Sequence, residues 1–397
     1  MEKQTDSAIL KWGFFSLCVL LLLSLPAVSA ARMNPETKQI RILATSDLHG
    51  KFMPWDYTRN REDKSGSAAG NGHCGSLDRP DPACGCRGFD PGQLCGNFSS
   101  QKKPHPMVQA LNRMRYDVWV AGNHEYNFGM DVLRHTMRTL DATVLTGNVY
   151  DRSGAPVAEG CKIFKKDGVR IAVIGMVTPN IARWDKTNLQ GCTVTDPLAE
   201  IRKILETIRG QYDVLVGVFH MGIQNEYGVP NSGVKDICNA CPEFDVVISS
   251  HEHRLIDSMD INGVLVVQNK PMAQTLSVID LSLKAKDVGW KPTGKKAKSV
   301  AVSGYAPDPG MVALLEKDHR AALKESVKVI GVLSGGPLVP ENLPEEFRPL
   351  TQLPVGQVQD TALVELVNRV QLHYSGAKVS AAPLSVPDAS LPAGKIR

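Results

Sequence analysis

The chain has 397 residues, of which 43% are hydrophobic and 22% are charged, a balance typical of a globular protein with two domains or one large one. Its formal net charge of +4 is too small to indicate a nucleic acid or a membrane surface as a partner. Composition therefore leaves the function to local motifs.

Residues 1–31 have the pattern of a secretory signal. Lys3 and Lys11 precede an apolar run from Phe14 to Val28, and the small residues Ser29-Ala30-Ala31 follow it. This run is short for a spanning helix and ends in a cleavage-type sequence, so we favour a signal over a retained anchor. We expect an exported protein (periplasmic, cell-wall associated or secreted) that is not stably inserted in a membrane after cleavage.

The first predicted strand ends in two side chains that can bind a metal. Apolar residues alternate at Ile40, Ile42 and Ala44, and Asp47 and His49 follow directly. Residues i and i+2 of an extended segment point to the same side, so both side chains could bind one ion at the carboxyl end of the strand. A polar turn closing an ordinary strand is the alternative.

Residues 67–104 interrupt this order. The segment contains seven glycines and no Val, Ile or Met, and its few large apolar residues follow neither a helical nor a strand period. Four of the nine cysteines lie here, and export permits disulfides. This composition predicts irregular structure.

From His105 onward, apolar strands alternate with amphipathic helices. The predicted helices are His105 to Arg115, Asp131 to Leu140, Pro197 to Arg209, Asp308 to Ser326 and Thr361 to Tyr374. The predicted strands are Asp117 to Ala121, Ala142 to Thr146, Val169 to Met176, Asp213 to Phe219, Phe244 to Ser249, Val264 to Gln268 and Thr275 to Leu283, followed by an exposed hairpin or loop over Asp287 to Lys298. This alternation predicts an α/β fold with helices outside a central sheet.

Two cysteines in this part have CxxC spacing. Cys238 and Cys241 would need a second such pair to form a typical zinc site, and none follows at a usable spacing. A local disulfide or two free thiols is expected.

Four strand ends carry ligand-type residues, and we expect them to meet at one site of the sheet. They are Asp47 and His49, Asn123 and His124, His220, and His251 with His253. One histidine after a strand is usually an ordinary core or loop residue, but five of the ten histidines in these four places are hard to attribute to chance. Oxygen and imidazole ligands without thiolate favour Zn, Mn or Fe. Without His124, which lies beside the ligand Asn123, six such ligands remain, and six exceed what one catalytic zinc takes. We therefore expect two divalent ions that could hold a phosphoryl group between them.

These motifs resemble the signature of the calcineurin-like metallophosphoesterases. The matching stretches are Asp47-Leu-His49, Gly122-Asn-His-Glu125, His220 and His251-Glu-His253. More narrowly, roughly residues 38–378 are similar to the exported 5′-nucleotidases and 2′,3′-cyclic-nucleotide 2′-phosphodiesterase/3′-nucleotidases. Asn127 stands where 5′-nucleotidases usually have an acidic partner for the histidine, which favours the cyclic phosphodiesterase branch, as do the stretches 47–57 and 122–129.

The resemblance implies a role for each residue. Asp47, His49 and His253 would bind one ion, Asn123, His220 and His251 the other, and His124 would be the catalytic histidine. It also implies metallophosphoesterase-type layered sheets flanked by helices. The expected domains are a signal at 1–31, the metallophosphoesterase domain at 32–300, a linker helix at 301–327, and at 328–397 the start of a second α/β domain, which in the family stacks the nucleobase.

The sequence departs from the family between residues 67 and 104. The family has an aspartate there that bridges both ions at the end of a second strand, whereas here Gln93 falls near that position and Asp90 is displaced. We expect the strand and its preceding helix to be absent. A local frameshift in the coding DNA and a true insertion crosslinked by disulfides are the two interpretations.

The leading hypothesis is an exported metal-dependent hydrolase of 2′,3′-cyclic nucleotides and 3′-nucleotides. A 5′-nucleotidase or nucleotide-sugar hydrolase is the alternative within the same chemistry. From a different class, an inactive metal-binding relic is the third hypothesis. The expected partner is a nucleotide substrate, not a nucleic acid.

Overall fold

The structure, a computed structural model, describes residues 36–70, 83–87, 105–339, 360–382 and 390–396. The predicted signal at 1–31, Gln93 and Asp90 lie outside the described residues. The strands are β1 (Thr37–Thr45), β2 (Trp55–Asp56), β3 (Arg61–Glu62), β4 (Ala83–Arg87), β5 (Val118–Ala121), β6 (Thr143–Leu145), β7 (Val149–Tyr150), β8 (Cys161–Lys166), β9 (Val169–Val177), β10 (Thr193–Val194), β11 (Val214–His220), β12 (Val246–Ser249), β13 (Ile256–Ile261), β14 (Val264–Gln268), β15 (Thr275–Ala285), β16 (Trp290–Ala301), β17 (Gly331–Leu333) and β18 (Gly394–Ile396).

Helices alternate with these strands, as the periodicity predicts. They are α1 (Pro106–Arg113), α2 (Met130–Thr139), α3 (Ile181–Trp184), α4 (Pro197–Thr207), α5 (Val234–Ala240), α6 (Pro309–Ser326) and α7 (Ala362–Ser375), with 3₁₀ turns at Asn123–Tyr126 and Val302–Gly304. Asp196 and Asp308 precede a proline at the first position of α4 and α6, and each accepts a hydrogen bond from a backbone N–H of the first turn. These caps place the starts of both helices close to the predicted positions.

Within the described residues, the long strands form two six-stranded sheets rather than one central sheet. The first sheet has the order β16-β15-β1-β4-β5-β6, and the second has the order β13-β14-β12-β11-β9-β8. The expectation that the four ligand-bearing strand ends belong to one sheet is therefore wrong. The apolar runs show that both faces of these strands are buried, but they carry no information on which strands pair.

The two sheets pack face to face, with helices on both outer surfaces. Ile40 and Val118 of the first sheet share a core with Val216 and Val246 of the second. The outer face of the first sheet packs against α1, α2 and α6, and the outer face of the second packs against α4 and α5. This four-layer α/β/β/α arrangement confirms the expected layered fold.

A strand does cross the irregular region, contrary to the expectation that it is absent. Strand β4 lies between β1 and β5 and pairs with both in parallel, with Cys84 opposite Ala44 and Val118. A ladder is built from backbone N–H and C=O groups, so residues without the usual apolar pattern can still fill the gap between two strands. A helix also begins in this region, at residues 68–70, and residues 71–82 lie outside the described residues.

Several other expectations concern the remaining parts of the chain. Strands β15 and β16 form the hairpin that the sequence suggests near Asp287. Cys238 and Cys241 are free thiols, the second of the two alternatives. Helix α6 packs Met311, Leu315 and Ala322 into the core on the outer face of the first sheet. The domain boundaries stay a prediction. Among the described residues, no helix combines the length and apolarity needed to cross a bilayer.

Candidate metal centre

The four ligand-bearing strand ends meet although they come from different sheets. Strands β1 and β5 of the first sheet lead into Asp47, His49 and Asn123, whereas His220 ends β11 and His251 and His253 follow β12 of the second sheet. All six predicted ligands, listed with the neighbouring histidine, lie at one edge of the sandwich: Asp47, His49, Asn123, His124, His220, His251 and His253.

Asp47, His49 and His253 form the first group of possible ligands. One ligand atom from each lies within 4.8 Å of the others. The Nε2 atoms of His49 and His253 are 2.7 Å apart, and His253 Nε2 is 3.8 Å from Asp47 Oδ1. Two imidazole nitrogens at this distance can share one proton or face a common cation.

Burial strongly disfavours the charged form of Asp47. The side chain is fully buried, and this burial raises the pKa of its carboxyl to about 7, although the neighbouring Ser46 hydroxyl and the hydrogen bond from the backbone of His251 act in the opposite direction. A buried carboxylate of this kind is stabilised by an adjacent cation. The donor set and its burial therefore fit a divalent ion.

Asn123, His220 and His251 form the second group. Asn123 Oδ1 lies 2.8 Å from His220 Nε2 and 3.3 Å from His251 Nδ1. The backbone N–H of His251 is 3.2 Å from both carboxylate oxygens of Asp47, so the two groups adjoin. An amide oxygen and two imidazole nitrogens directed at one point also fit a divalent ion.

The second group has hydrogen-bond partners on its far side that the sequence did not reveal. Ser250 Oγ lies 3.0 Å from His220 Nδ1, and Glu226 Oε1 lies 3.2 Å from His251 Nε2. Burial, together with neighbouring imidazoles, lowers the pKa of His220 well below its usual range, so this ring is neutral. Such partners fix which ring nitrogen keeps a lone pair for a metal, here Nε2 of His220 and Nδ1 of His251.

Four of the six predicted ligands have a left-handed backbone. The φ angles are 49° for Asp47, 47° for His49, 78° for His251 and 58° for His253. Residues other than glycine rarely adopt this conformation, and it is concentrated at functional sites that the surrounding structure holds in place. The sharp change of direction after β1 and β12 lets two side chains from each segment reach the site.

Close packing around Gly122 positions the ligands of the two sheets against one another. A Cβ at Gly122 would lie 2.6 Å from Cε1 of His220, so this position admits only glycine without moving the ring. The Gly122 N–H donates to Glu125 Oε2 at 2.6 Å, which fixes the 3₁₀ turn carrying Asn123 and His124. On the other sheet, Glu252 Oε1 accepts from the N–H of Ile223 and holds the loop after His220.

His124 lies beside the first group. Its ring centroid is 5.7 Å from that of His49, and its Nδ1 is 2.8 Å from Asn127 Oδ1. Asn127 Nδ2 in turn donates to Asp185 Oδ1 at 2.9 Å. The contact with Asn127 is a short-range one on the same turn, but nothing in the sequence around Asp185 indicated its part.

An aromatic side chain also supports the second group. Trp184 at the end of α3 stacks on His251, with ring centroids 5.4 Å apart and an interplanar angle of 29°. Neither Trp184 nor Glu226 was indicated by the sequence, because Trp184 lies in a four-residue helix and Glu226 in a loop, and both are too short to show a regular period. Ser250 directly precedes His251, so its neighbourhood alone could have drawn attention to it.

Comparison with known proteins assigns the fold. A family model described as "Bacterial capsule synthesis protein PGA_cap" matches residues 90–267, less than half of the chain. A trifunctional nucleotide phosphoesterase, YfkN of Bacillus subtilis, is 26% identical over an alignment of 353 positions that covers 78% of this chain and 24% of that protein. The 2′,3′-cyclic-nucleotide 2′-phosphodiesterase/3′-nucleotidase of Salmonella typhimurium is 26% identical over an alignment of 393 positions that covers 88% of this chain and 58% of that protein.

A solved structure agrees with these sequence relatives. The crystal structure of the calcineurin-like phosphoesterase YfkN from Bacillus subtilis matches with a TM-score of 0.68 at 25% identity, covering 74% of this chain and 100% of that one. The chain spans from 24% to 58% of the length of the two curated relatives named above. The resemblance read from the motifs is thus confirmed: the chain has the calcineurin-like phosphoesterase fold, and its relatives are metallophosphoesterases that act on nucleotides.

Proposed function

We propose that this chain is an exported, metal-dependent phosphoesterase whose substrates are 2′,3′-cyclic nucleotides and 3′-nucleotides. The observation that carries the proposal is the meeting of six oxygen and imidazole ligands from two sheets, with His124 beside them. Relatives named as nucleotide phosphoesterases support the substrate class. The signal-like sequence at 1–31 supports export.

Two divalent ions, of Zn, Mn or Fe, are part of this proposal. Asp47, His49 and His253 would hold one, and Asn123, His220 and His251 would hold the other. Bound there, the ions would supply Lewis acidity toward a phosphoryl group and a water activated at neutral pH. The buried carboxylate and the neutral ring of His220 are the groups that favour cation binding.

His124 is the residue that we assign to proton transfer. Since Asn127 Oδ1 accepts from its Nδ1, the other ring nitrogen is left to donate a proton to the leaving oxygen or a hydrogen bond to the phosphoryl group. The position beside His49 places this ring next to the first ion site. An amide rather than an acid at Asn127 supports the cyclic-nucleotide assignment over a 5′-nucleotidase.

Parallel assays of 2′,3′-cyclic AMP, 3′-AMP and 5′-AMP test the proposal on purified protein supplied with Mn²⁺ or Zn²⁺. We expect hydrolysis of the first two substrates and little of the third. Preferred hydrolysis of 5′-AMP would overturn the substrate assignment, and failure to hydrolyse any phosphoester would favour the metal-binding relic.

The variant His124→Ala tests the role of the histidine. We expect turnover to fall by about 100-fold or more, the lower end for general acid–base catalysis, while the metal content stays nearly unchanged. His373→Ala is the matched control, because His373 is exposed on α7 and contacts Tyr374 rather than the site. Retained activity in His124→Ala would contradict the assigned role.

A further inference from the structure

The ring of His124 is joined to a buried carboxylate through one intervening amide. His124 Nδ1 lies 2.8 Å from Asn127 Oδ1, and Asn127 Nδ2 donates to Asp185 Oδ1 at 2.9 Å. An ionised carboxylate only accepts hydrogen bonds, so the NH₂ group of Asn127 must face Asp185 and its oxygen must face His124. The orientation of the amide thus requires the proton on Nδ1 of His124.

Asp185 is itself firmly held. Asp185 is 4% exposed and directly follows α3, and its backbone N–H donates to the carbonyl of Ile181 at 2.8 Å. Asn188 Nδ2 donates both to Asp185 Oδ1 at 3.0 Å and to the carbonyl of Asn127 at 2.9 Å. Asn188 therefore fixes the relative position of the other two side chains.

The partners of Asp185 are amides rather than cations. Among the ion pairs of the described residues, none involves Asp185. Its carboxylate is instead stabilised by hydrogen bonds from the side-chain amides of Asn127 and Asn188. A buried carboxylate without a cation depends on such hydrogen bonds to offset the cost of its burial.

We propose that Asp185 is a positioning residue for His124 that acts through Asn127. In His–Asp pairs of catalytic sites, the carboxylate contacts the imidazole directly and fixes its tautomer and orientation. Here the carboxylate of Asp185 lies one hydrogen bond further from the imidazole, and the Asn127 amide between them fixes the tautomer and orientation of the ring. This inference rests on the proposed function only for the role of His124 in turnover.

The arrangement also explains why position 127 carries an amide in this chain. An aspartate there would put a second carboxylate at the 2.9 Å contact now made by the Asn127 amide and Asp185. Two carboxylates so near to each other cannot both ionise, so one of them would take up a proton. Asn127 and Asp185 are therefore a matched pair. Exchanging the two residues should keep one amide and one carboxylate in the series of hydrogen bonds that starts at His124.

The test compares Asp185→Asn, Asn127→Asp and the double exchange Asn127→Asp with Asp185→Asn. Asp318→Asn is the control, because Asp318 accepts a comparable amide hydrogen bond from Gln109 at 3.2 Å, between α1 and α6. Kinetics are measured with 2′,3′-cyclic AMP and with bis(p-nitrophenyl) phosphate, whose leaving group needs no proton. Circular dichroism verifies folding of each variant.

We expect Asp185→Asn to lower kcat for the cyclic nucleotide by about 10-fold to 100-fold with KM changed less than about 2-fold, the range found for outer hydrogen-bond partners. The loss should be smaller with bis(p-nitrophenyl) phosphate, because its leaving group needs no proton. A merely structural defect would instead lower both rates equally. The double exchange should recover most of the loss. Equal losses on both substrates, or a double exchange no better than the worse single variant, would overturn the proposal.

A spectroscopic measurement separates this inference from the proposed function. In protein labelled with ¹⁵N-histidine and loaded with Zn²⁺, the Nδ1–H proton of His124, assigned by its loss in His124→Ala, should exchange slowly with water. We expect exchange at least about 10-fold faster in Asp185→Asn and unchanged exchange in Asp318→Asn. Unchanged exchange in Asp185→Asn would refute the hydrogen-bond chain even if the protein is an active phosphoesterase. If exchange is faster in Asp185→Asn but the wild-type protein shows no turnover, the hydrogen bonds from His124 to Asp185 are supported and the proposed function is refuted.

Discussion

The carboxylate of Asp213 joins the two sheets at the end away from the candidate metal centre. Its side chain is 1% exposed and accepts hydrogen bonds from Arg170 Nη2 at 2.8 Å and from the Trp290 N–H at 3.0 Å. Arg170 lies on β9 of the second sheet and Trp290 begins β16 of the first. Asp213→Asn should therefore weaken the fold without touching a predicted ligand.

The magnitude follows from the pKa of this carboxyl. Burial opposes its ionisation, but hydrogen bonds from Arg170 and Trp290 outweigh burial and lower the pKa of Asp213 from 3.8 to about 2. At about 1.4 kcal/mol for each pKa unit, the ionised side chain contributes about 2 kcal/mol to the free energy of unfolding. We expect Asp213→Asn to lose about this amount at pH 7.

The pH dependence of the loss has a definite sign. A lowered carboxyl pKa stabilises the fold above the pKa of the unfolded chain, and this contribution is lost as the pH falls through about 2. Urea unfolding at pH 7 and pH 3 measures it, and the difference between wild type and variant should fall to about half at the lower pH. Asp280→Asn is the control, because the Asp280 partner of Arg41 is 41% exposed and such pairs are worth only about 0–1 kcal/mol. A difference below about 0.5 kcal/mol at pH 7, or one that grows toward pH 3, would refute this reasoning.

Two further predictions concern the metal centre and the packing of α6. Glu226→Gln should weaken metal binding by about 10-fold to 100-fold, because Glu226 Oε1 contacts His251 Nε2 at 3.2 Å. Calorimetric titration of the metal-free protein measures this affinity, and an unchanged affinity would show that the contact does not orient His251. Leu315→Ala should lower the free energy of unfolding by about 2–5 kcal/mol, because Leu315 is fully buried in the core on the outer face of the first sheet. Leu314→Ala should cost much less, because the Leu314 side chain is 39% exposed. Equal losses in the two variants would contradict the packing of α6.

The sequence predicted the elements of the fold better than their arrangement. Alternating apolar residues located β1, continuous apolar runs located β11 and β14, and capping residues located the start of α6, because these signals are local. Pairing between strands is not local, and that is why one sheet was expected where the long strands of the described residues form two. Strand β4 escaped prediction because its pairing depends on the backbones of β1 and β5 rather than on its own apolar pattern.

The predicted ligands came together because their residue types are distinctive and their strand ends share one edge. The supporting residues were not predicted, since an isolated Glu226 or Asp185 in a loop looks like any solvated acid. Their contacts with His251 and Asn127 join residues 25 and 58 positions apart. Only the three-dimensional structure relates them.

The central claim is that four strand ends form a two-ion hydrolytic centre, and one titration tests it most directly. Metal-free protein is titrated with Mn²⁺ while hydrolysis of 2′,3′-cyclic AMP is followed. We predict that activity rises until two ions are bound per chain and then stays constant. Saturation of activity at one ion, or full metal loading without hydrolysis, would contradict the claim.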